Sequence, residues 1–171
     1  MRVEIRPLAP EDERDGFDSG VPPLDEFFRR YAGQNQFRHH IGVTHVAVEG
    51  GRILGYATIC AGHIETERLH SSLRRRLPSY PLPILRIARL AVDRRARKKG
   101  IGGLLLKYAL QIALRMHAEY GCVGVLLDAK PDAVGFYERH GFIALEVEGG
   151  ALLPHPAPVV MFLPLSALKQ G

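Results

Sequence analysis

Tryptophan is absent from this chain of 171 residues and cysteine occurs only twice, at Cys60 and Cys122. Both cysteines sit in apolar, strand-like runs, so they read as reduced core thiols and a disulfide scaffold is excluded. Neither has a basic neighbour in sequence, which argues against a cysteine nucleophile. Zinc-like spacing is missing too: none of the eight histidines forms an i,i+4 pair, and His39 and His40 are adjacent and point apart. No metal is expected. No apolar run approaches the roughly 18 residues of a membrane span, and Met1-Arg2-Val3-Glu4-Ile5 carries no hydrophobic targeting stretch. A cytoplasmic protein with no membrane contact is expected. No linker, repeat or low-complexity tract divides residues 1–171, which are expected to form a single domain.

Acidic residues are scarce in one place. From Arg68 to Lys99 there are eleven lysines and arginines against one acid, Asp93, a local +10 in a chain whose total is +5. The remainder therefore sums to −5, and a focused basic region on a mildly acidic body suits a polyanionic partner. Arg74, Arg75, Arg76, Arg86, Arg89, Arg94 and Arg95 are its candidates for phosphate contact. For any one of them, a solvated helix end is an equally good reading.

Hydrophobic patterning predicts a mixed α/β chain. Val3 to Arg6 alternates as a strand, and Leu24, Phe27, Phe28 and Tyr31 recur at helical spacing, with the helix ending before Gly33. Thr44 to Glu49 and Ile53 to Ala61 flank the Gly50-Gly51 turn of a hairpin. Leu69, Leu73 and Leu77 suggest a helix over Glu65 to Leu77, and the prolines from Pro78 to Pro83 then enforce extended chain leading into a central strand, Ile84 to Val92. An amphipathic helix runs from Gly102 to Glu119, with Ile101, Leu105, Tyr108, Ile112 and Met116 on one stripe. Val123 to Asp128 is a fully covered strand, Pro131 opens a short helix that ends at Gly141, and Phe142 to Glu148 and Val159 to Leu163 are closing strands. Pro154, Pro156 and Pro158 lie in the loop between them.

Between the central strand and the long helix stands Arg97-Lys98-Lys99-Gly100-Ile101-Gly102-Gly103. Glycines let backbone approach a ligand closely, a helix start offers unpaired N–H groups with partial positive charge, and the basic side chains add attraction. A pyrophosphate cradle is expected, the bland alternative being a surface turn with a glycine-rich helix cap and solvated basic residues. It lacks the Lys-Ser/Thr ending of a P-loop and the spacing of a dinucleotide fingerprint.

As R-x-x-G-x-G, this turn resembles the acetyl-coenzyme A turn of GNAT-type N-acetyltransferases. Leu90-Ala91-Val92-Asp93 before it, Asp128-Ala129 after it, and Phe136-Tyr137-Glu138-Arg139-His140-Gly141-Phe142, similar to the family's F-Y-x-x-x-G-F box, extend the likeness over residues 84–145. A narrower resemblance covers most of the chain. Phe17 to Tyr31, Gln34-Asn35-Gln36 and Tyr80 to Val92 look like the GNAT toxins of bacterial toxin–antitoxin pairs, with Ser19 standing where those toxins usually have cysteine.

The resemblance implies the GNAT fold, a mixed, mostly antiparallel sheet splayed at its central strand and flanked by helices. It implies acetyl-CoA as co-substrate, held by Leu90, Ala91, Val92, Arg97, Lys98, Lys99, Gly100, Ile101, Gly102, Gly103, Asp132 and Phe136. It implies catalysis by the backbone N–H of Val92, which polarises the thioester carbonyl, and by Tyr137, which protonates the leaving thiolate. Spacing alone leaves Tyr137 equally readable as a core aromatic. The acceptor implied is the α-amino group of aminoacyl-tRNA, with translation blocked as the result, a ribbon-helix-helix antitoxin as restraint, and a homodimer as the assembly.

The residues add one argument of their own. An α-amine near pKa 7.7–8.0 is partly neutral at pH 7, whereas a lysine near 10.4 needs a base. From Leu85 to Val92 there is no carboxylate, only Arg86 and Arg89, whose spacing of three puts them on opposite strand faces unless a bulge intervenes. A supplied base such as Glu65 stays open. Two other functions stay open: a GNAT enzyme acting on a small amine or protein N-terminus, and a non-catalytic RNA- or partner-binding domain of the same fold.

Overall fold

A computed structural model describes residues 2–145 and 157–168. Its strands are β1 (Glu4–Pro7), β2 (Val43–Glu49), β3 (Arg52–Ile64), β4 (Leu82–Val92), β5 (Gly124–Ala129), β6 (Ile143–Ala144) and β7 (Val159–Pro164). The helices are α1 (Pro22–Glu26), α2 (Ala32–Phe37), α3 (Ser71–Arg74), α4 (Ile101–Glu119) and α5 (Val134–Arg139). The strands hydrogen-bond in the order β1-β2-β3-β4-β5-β7-β6, a mixed and mostly antiparallel sheet. Its one parallel pair is β4 and β5, whose first residues lie side by side, with the Val123 N–H donating to Pro83 O at 2.9 Å. The chain divides into two compact units, residues 1–60 with 87–112 and residues 61–86 with 113–171.

In the first unit, β1 pairs antiparallel with β2 and β2 with β3. The β2–β3 turn is the expected Gly50-Gly51, with φ of 57° and 77°, the left-handed pair that a tight hairpin requires. One apolar cluster gathers Leu8, Phe17, Phe27, Phe28, Ala32, Val46, Ile53, Tyr56 and Ala91. Tyr56 stacks on Phe28 at 4.5 Å and satisfies its hydroxyl by donating to Leu24 O at 2.7 Å. A second cluster, Ala47, Leu54, Ala57, Ala96, Ile101 and Leu105, seats the start of α4. It depends on Gly55, where a Cβ would lie 2.9 Å from Ala91 O and 3.0 Å from the Ile101 side chain.

The helix expected to end before Gly33 does not stop there. After α1 the chain makes a π-helical stretch, Phe27–Tyr31, and continues through α2 to Phe37. Gly33 serves as a seat: a Cβ there would come within 3.1 Å of the Arg14 guanidinium, which donates to Phe28 O at 3.0 Å. A glycine costs a helix only about 1 kcal/mol relative to alanine, little enough for this packing to override it.

In the second unit, β5 pairs antiparallel with β7 along Gly124↔Pro164 to Ala129↔Val159, and β6 pairs with β7. The β5–β7 pairing excludes a side chain at Gly124, since a Cβ would meet the Phe162 ring at 2.3 Å. The core is Ile64, Leu69, Leu82, Ile84, Leu126, Leu145 and Phe162, with Leu73 and Leu77 packed on its margin. The helix expected over Glu65 to Leu77 is broken. A 3-10 turn, Thr66–Arg68, is followed by extended Leu69 and His70 and then by the four-residue α3. Buried Thr66 bonds forward to the proline segment through its hydroxyl, 2.7 Å from Pro78 O, and Leu69 turns inward from an extended backbone. The leucine stripe is apolar as expected without being helical.

The closing strand expected over Phe142 to Glu148 is described as Ile143–Ala144, while residues 146–148, Pro154 and Pro156 lie outside the described residues. Cys122 is buried, with its thiol directed at Gly124 O and its pKa raised by burial, and Cys60 is half-buried. Among the described residues no group of His, Cys, Asp and Glu could hold a metal ion, and no helix is long and apolar enough to cross a membrane.

His45 on β2 is only 7% exposed, packs against the Tyr108 ring at 5.0 Å and leaves Nδ1 without a hydrogen-bond partner. Burial lowers its pKa from 6.5 to about 4. The unfolded chain therefore takes up a proton below pH 6.5 that the folded chain refuses. Stability present above pH 6.5 is expected to fall toward pH 4, by up to about 3 kcal/mol. Urea midpoints for wild type and His45→Phe between pH 7 and 4.5 check this: the variant is expected to lose less stability than wild type across that window.

Candidate active site

Strand β4 ends in a carboxylate. The Asp93 N–H donates to Leu54 O at 2.8 Å, and its side chain, 2% exposed, accepts from the Arg95 N–H at 2.9 Å, Arg95 Nε at 3.1 Å and the Asp18 N–H at 3.1 Å. Burial pushes the Asp93 pKa up, but these donors outweigh it and hold it at about 2. The chain then makes a 3-10 turn, Arg94–Ala96, before the glycine turn. There Lys98 has φ of 67° and Gly100 φ of 77°. A Cβ at Gly100 would touch nothing, so conformation and not space calls for glycine there. The first bond of α4 runs from the Leu104 N–H to Gly100 O, which leaves the N–H groups of Ile101, Gly102 and Gly103 ahead of the helical ladder. Arg97, Lys98 and Lys99 are exposed beside them, so amides outside the ladder and positive charge share the start of α4.

The arginines around the cradle are largely engaged with the protein itself. Arg94 pairs with Asp18, and its N–H donates to Asp18 O at 2.8 Å. Arg95 Nη2 reaches Gly16 O at 3.0 Å, and Arg97 Nη2 donates to Ser19 O at 2.8 Å. Ser19 continues the chain of bonds: its hydroxyl donates to buried Asp25 at 2.7 Å and accepts from the Val21 N–H at 3.1 Å. Residues 16–25 are thus strapped to residues 93–97. On β4, Arg89 lies over the Phe27 ring at 3.7 Å in the first unit, and Arg86 binds Asp128 at 2.9 Å in the second. Of the seven arginines expected to contact phosphate, Arg74, Arg75 and Arg76 are left exposed, with no hydrogen bond or ion pair of their side chains among the described residues.

The remaining site residues divide between the two units. In the first, half-buried Leu90, buried Ala91 and half-buried Val92 form the last residues of β4, directly before the cradle. In the second, exposed Asp132 sits in the 3-10 turn Pro131–Ala133, and half-buried Phe136 on α5 packs against Tyr137 at 5.0 Å and His140 at 4.8 Å. Tyr137 is 7% exposed, wedged edge-on between Phe136 and Phe142, and burial raises its pKa to about 12. Its phenol stays protonated throughout the neutral range and so keeps a proton to donate. Sequence reasoning missed the strap from Asp93 to Asp18, Ser19 and Asp25. The one available signal was that Asp93 is the lone acid in a basic segment.

A family model for the acetyltransferase (GNAT) domain matches residues 40–144, and the chain belongs to this family. A tRNA-acetylating toxin of Mycobacterium tuberculosis is 30% identical over 140 residues, covering 80% of this chain and 82% of that protein. Among solved structures, AtaT complexed with acetyl-methionyl-tRNAfMet superimposes with a TM-score of 0.84 at 24% identity, over 96% of each chain. An AtaT variant bound to the C-terminus of the antitoxin AtaR and acetyl-CoA does so with a TM-score of 0.76 at 23% identity, over 96% of this chain and 94% of that one. At these identities the two structures show likeness of fold.

Replacing Asp93 by asparagine keeps the shape but removes the charge that its donors share. Asp93→Asn is expected to lower unfolding stability by about 2 kcal/mol and to weaken acetyl-CoA binding, because the segment leading into the cradle loses its anchor. Arg95→Ala is expected to cost less, its side chain being 57% exposed. Urea denaturation and calorimetric titration with acetyl-CoA measure both effects.

Proposed function

We propose that this chain transfers the acetyl group of acetyl-CoA to the α-amino group of aminoacyl-tRNA, and so blocks translation. The observation that carries this is the 30% identity, over four fifths of the chain, to a protein named as a tRNA-acetylating toxin. The residues of the cradle fit the co-substrate: a left-handed glycine, three amides ahead of the helical ladder, and three exposed cations suit a pyrophosphate. When bound, acetyl-CoA supplies the activated thioester. Leu90, Ala91 and Val92 bind the pantetheine arm through their backbone, with the Val92 N–H polarising the carbonyl. Arg97 to Gly103, with Asp132 and Phe136, hold the rest of the molecule. Tyr137 donates its proton to the departing thiolate, consistent with a phenol kept neutral by burial. The acceptor amine needs little help from a base, which agrees with the lack of any carboxylate between Leu85 and Val92.

In this reading residues 1–171 act as one cytoplasmic domain, pair as a homodimer, and are restrained by a ribbon-helix-helix antitoxin. A second reading, acetylation of a small amine or protein N-terminus, is favoured by one observation. Arg86, Arg89, Arg94 and Arg95 already have partners within the chain, which lowers the charge left for RNA.

The test is transfer from labelled acetyl-CoA to charged tRNA, beside free amino acids and peptides. Transfer to charged tRNA is expected, and transfer to the controls alone would establish the second reading instead. No transfer to any acceptor would leave a binding domain. Tyr137→Phe is expected to keep acetyl-CoA affinity within a factor of about two while lowering turnover by about 100-fold or more. Unchanged turnover would remove Tyr137 from the chemistry.

A further inference from the structure

The segment from Thr66 to Tyr80 in the second unit is irregular, yet its end is pinned from inside. Thr66 is 1% exposed, and its hydroxyl lies 2.7 Å from Pro78 O and 3.1 Å from Tyr80 O. Pro78 and Pro81 restrict the backbone on either side of Tyr80. The ring so presented is 62% exposed, although a tyrosine gains by burying its apolar face. Four to six residues earlier, Arg74, Arg75 and Arg76 close the α3 turn, exposed and without side-chain partners among the described residues. The chain can span at most about 14 Å between Arg76 and Tyr80 and about 22 Å between Arg74 and Tyr80, so three uncompensated cations and an exposed ring lie on neighbouring stretches of chain.

We propose that Tyr80 and Arg74 to Arg76 form a platform for the unpaired end of an RNA, the ring stacking on a base and the arginines contacting neighbouring phosphates. Consecutive cations alone would suit any polyanion. The ring favours nucleic acid, because every base offers a flat face to stack while an acidic peptide gains little from one. The proposal builds on the reading that charged tRNA is the acceptor and adds where its single-stranded end is held.

The test uses the full chain and two hairpin RNAs of one acceptor-stem sequence, one ending in four unpaired nucleotides and one blunt. Affinities are measured by fluorescence anisotropy for wild type, Tyr80→Ala, Tyr80→Phe, and a variant with Arg74, Arg75 and Arg76 changed to glutamine. Tyr80→Ala is expected to weaken binding of the overhang RNA by about 5- to 100-fold, to leave the blunt RNA unaffected, and to be rescued by phenylalanine. The glutamine variant is expected to weaken both RNAs and to reduce the salt slope by about two to three. Unchanged overhang binding in Tyr80→Ala, or equal loss on both RNAs, would overturn the platform. So would a poly-glutamate peptide whose binding depends on Tyr80 as strongly as the RNA does. Because Tyr80 is exposed, an unchanged melting temperature is expected to accompany each Tyr80 variant. Acetyl transfer is scored separately. Tyr80-dependent binding without transfer to charged tRNA would support the platform and defeat the proposed reaction. Transfer with an unchanged KM in Tyr80→Ala would do the reverse.

Discussion

The carboxylate of Asp93 is the point on which the first unit turns. A charge almost wholly removed from water is tolerable only when its lone pairs are filled, and here they are filled from two directions. Arg95 supplies its own amide and its guanidinium, while the Asp18 amide arrives from 75 residues earlier in the chain. The same few residues fix where β4 ends, where the N-terminal segment lies, and where the chain sets out toward the glycine turn. Arg94 bonded to Asp18 and Arg97 bonded to Ser19 extend the strap on both sides. The approach to the glycine turn is therefore placed by contacts within the chain itself.

That network also alters the meaning of the charge. Eleven cations in the segment from Arg68 to Lys99 look like one basic surface, but their neighbours divide them. Some neutralise carboxylates that are distant in sequence, one sits over an aromatic face, and the lysines of the turn flank the helix start. Among the arginines of that stretch, only Arg74 to Arg76 combine exposure with a lack of side-chain partners among the described residues, and they lie in the irregular segment that Thr66 organises. The net charge of a sequence measures its attraction for polyanions, whereas folding decides which charges remain to exert it.

Ser19 illustrates how a departure from a family pattern is absorbed. Its hydroxyl both donates to Asp25 and accepts from the Val21 amide, so this position works as a hydrogen-bonded corner at the start of α1. A serine hydroxyl can fill both roles, and nothing in the bonds around it demands a thiol.

Most elements were legible from periodicity, because burial of one face imposes a repeat that survives in the sequence: the hairpin at Gly50-Gly51, the stripe of α4 and the apolar run of β5. The glycine turn and the Phe136-Tyr137 box were legible because each is a pattern of particular residues at short spacing. Two helix boundaries were not. Gly33 accommodates Arg14, and Thr66 bonds to Pro78, contacts that local propensity cannot register. By itself the sequence determined the class of protein and the position of its glycine turn, since both depend on residues adjacent in the chain. Tertiary structure alone decided which arginines face water, why Asp93 stays charged while buried, and how far burial raises the Tyr137 phenol. Each of these depends on partners or packing supplied by residues far away in sequence.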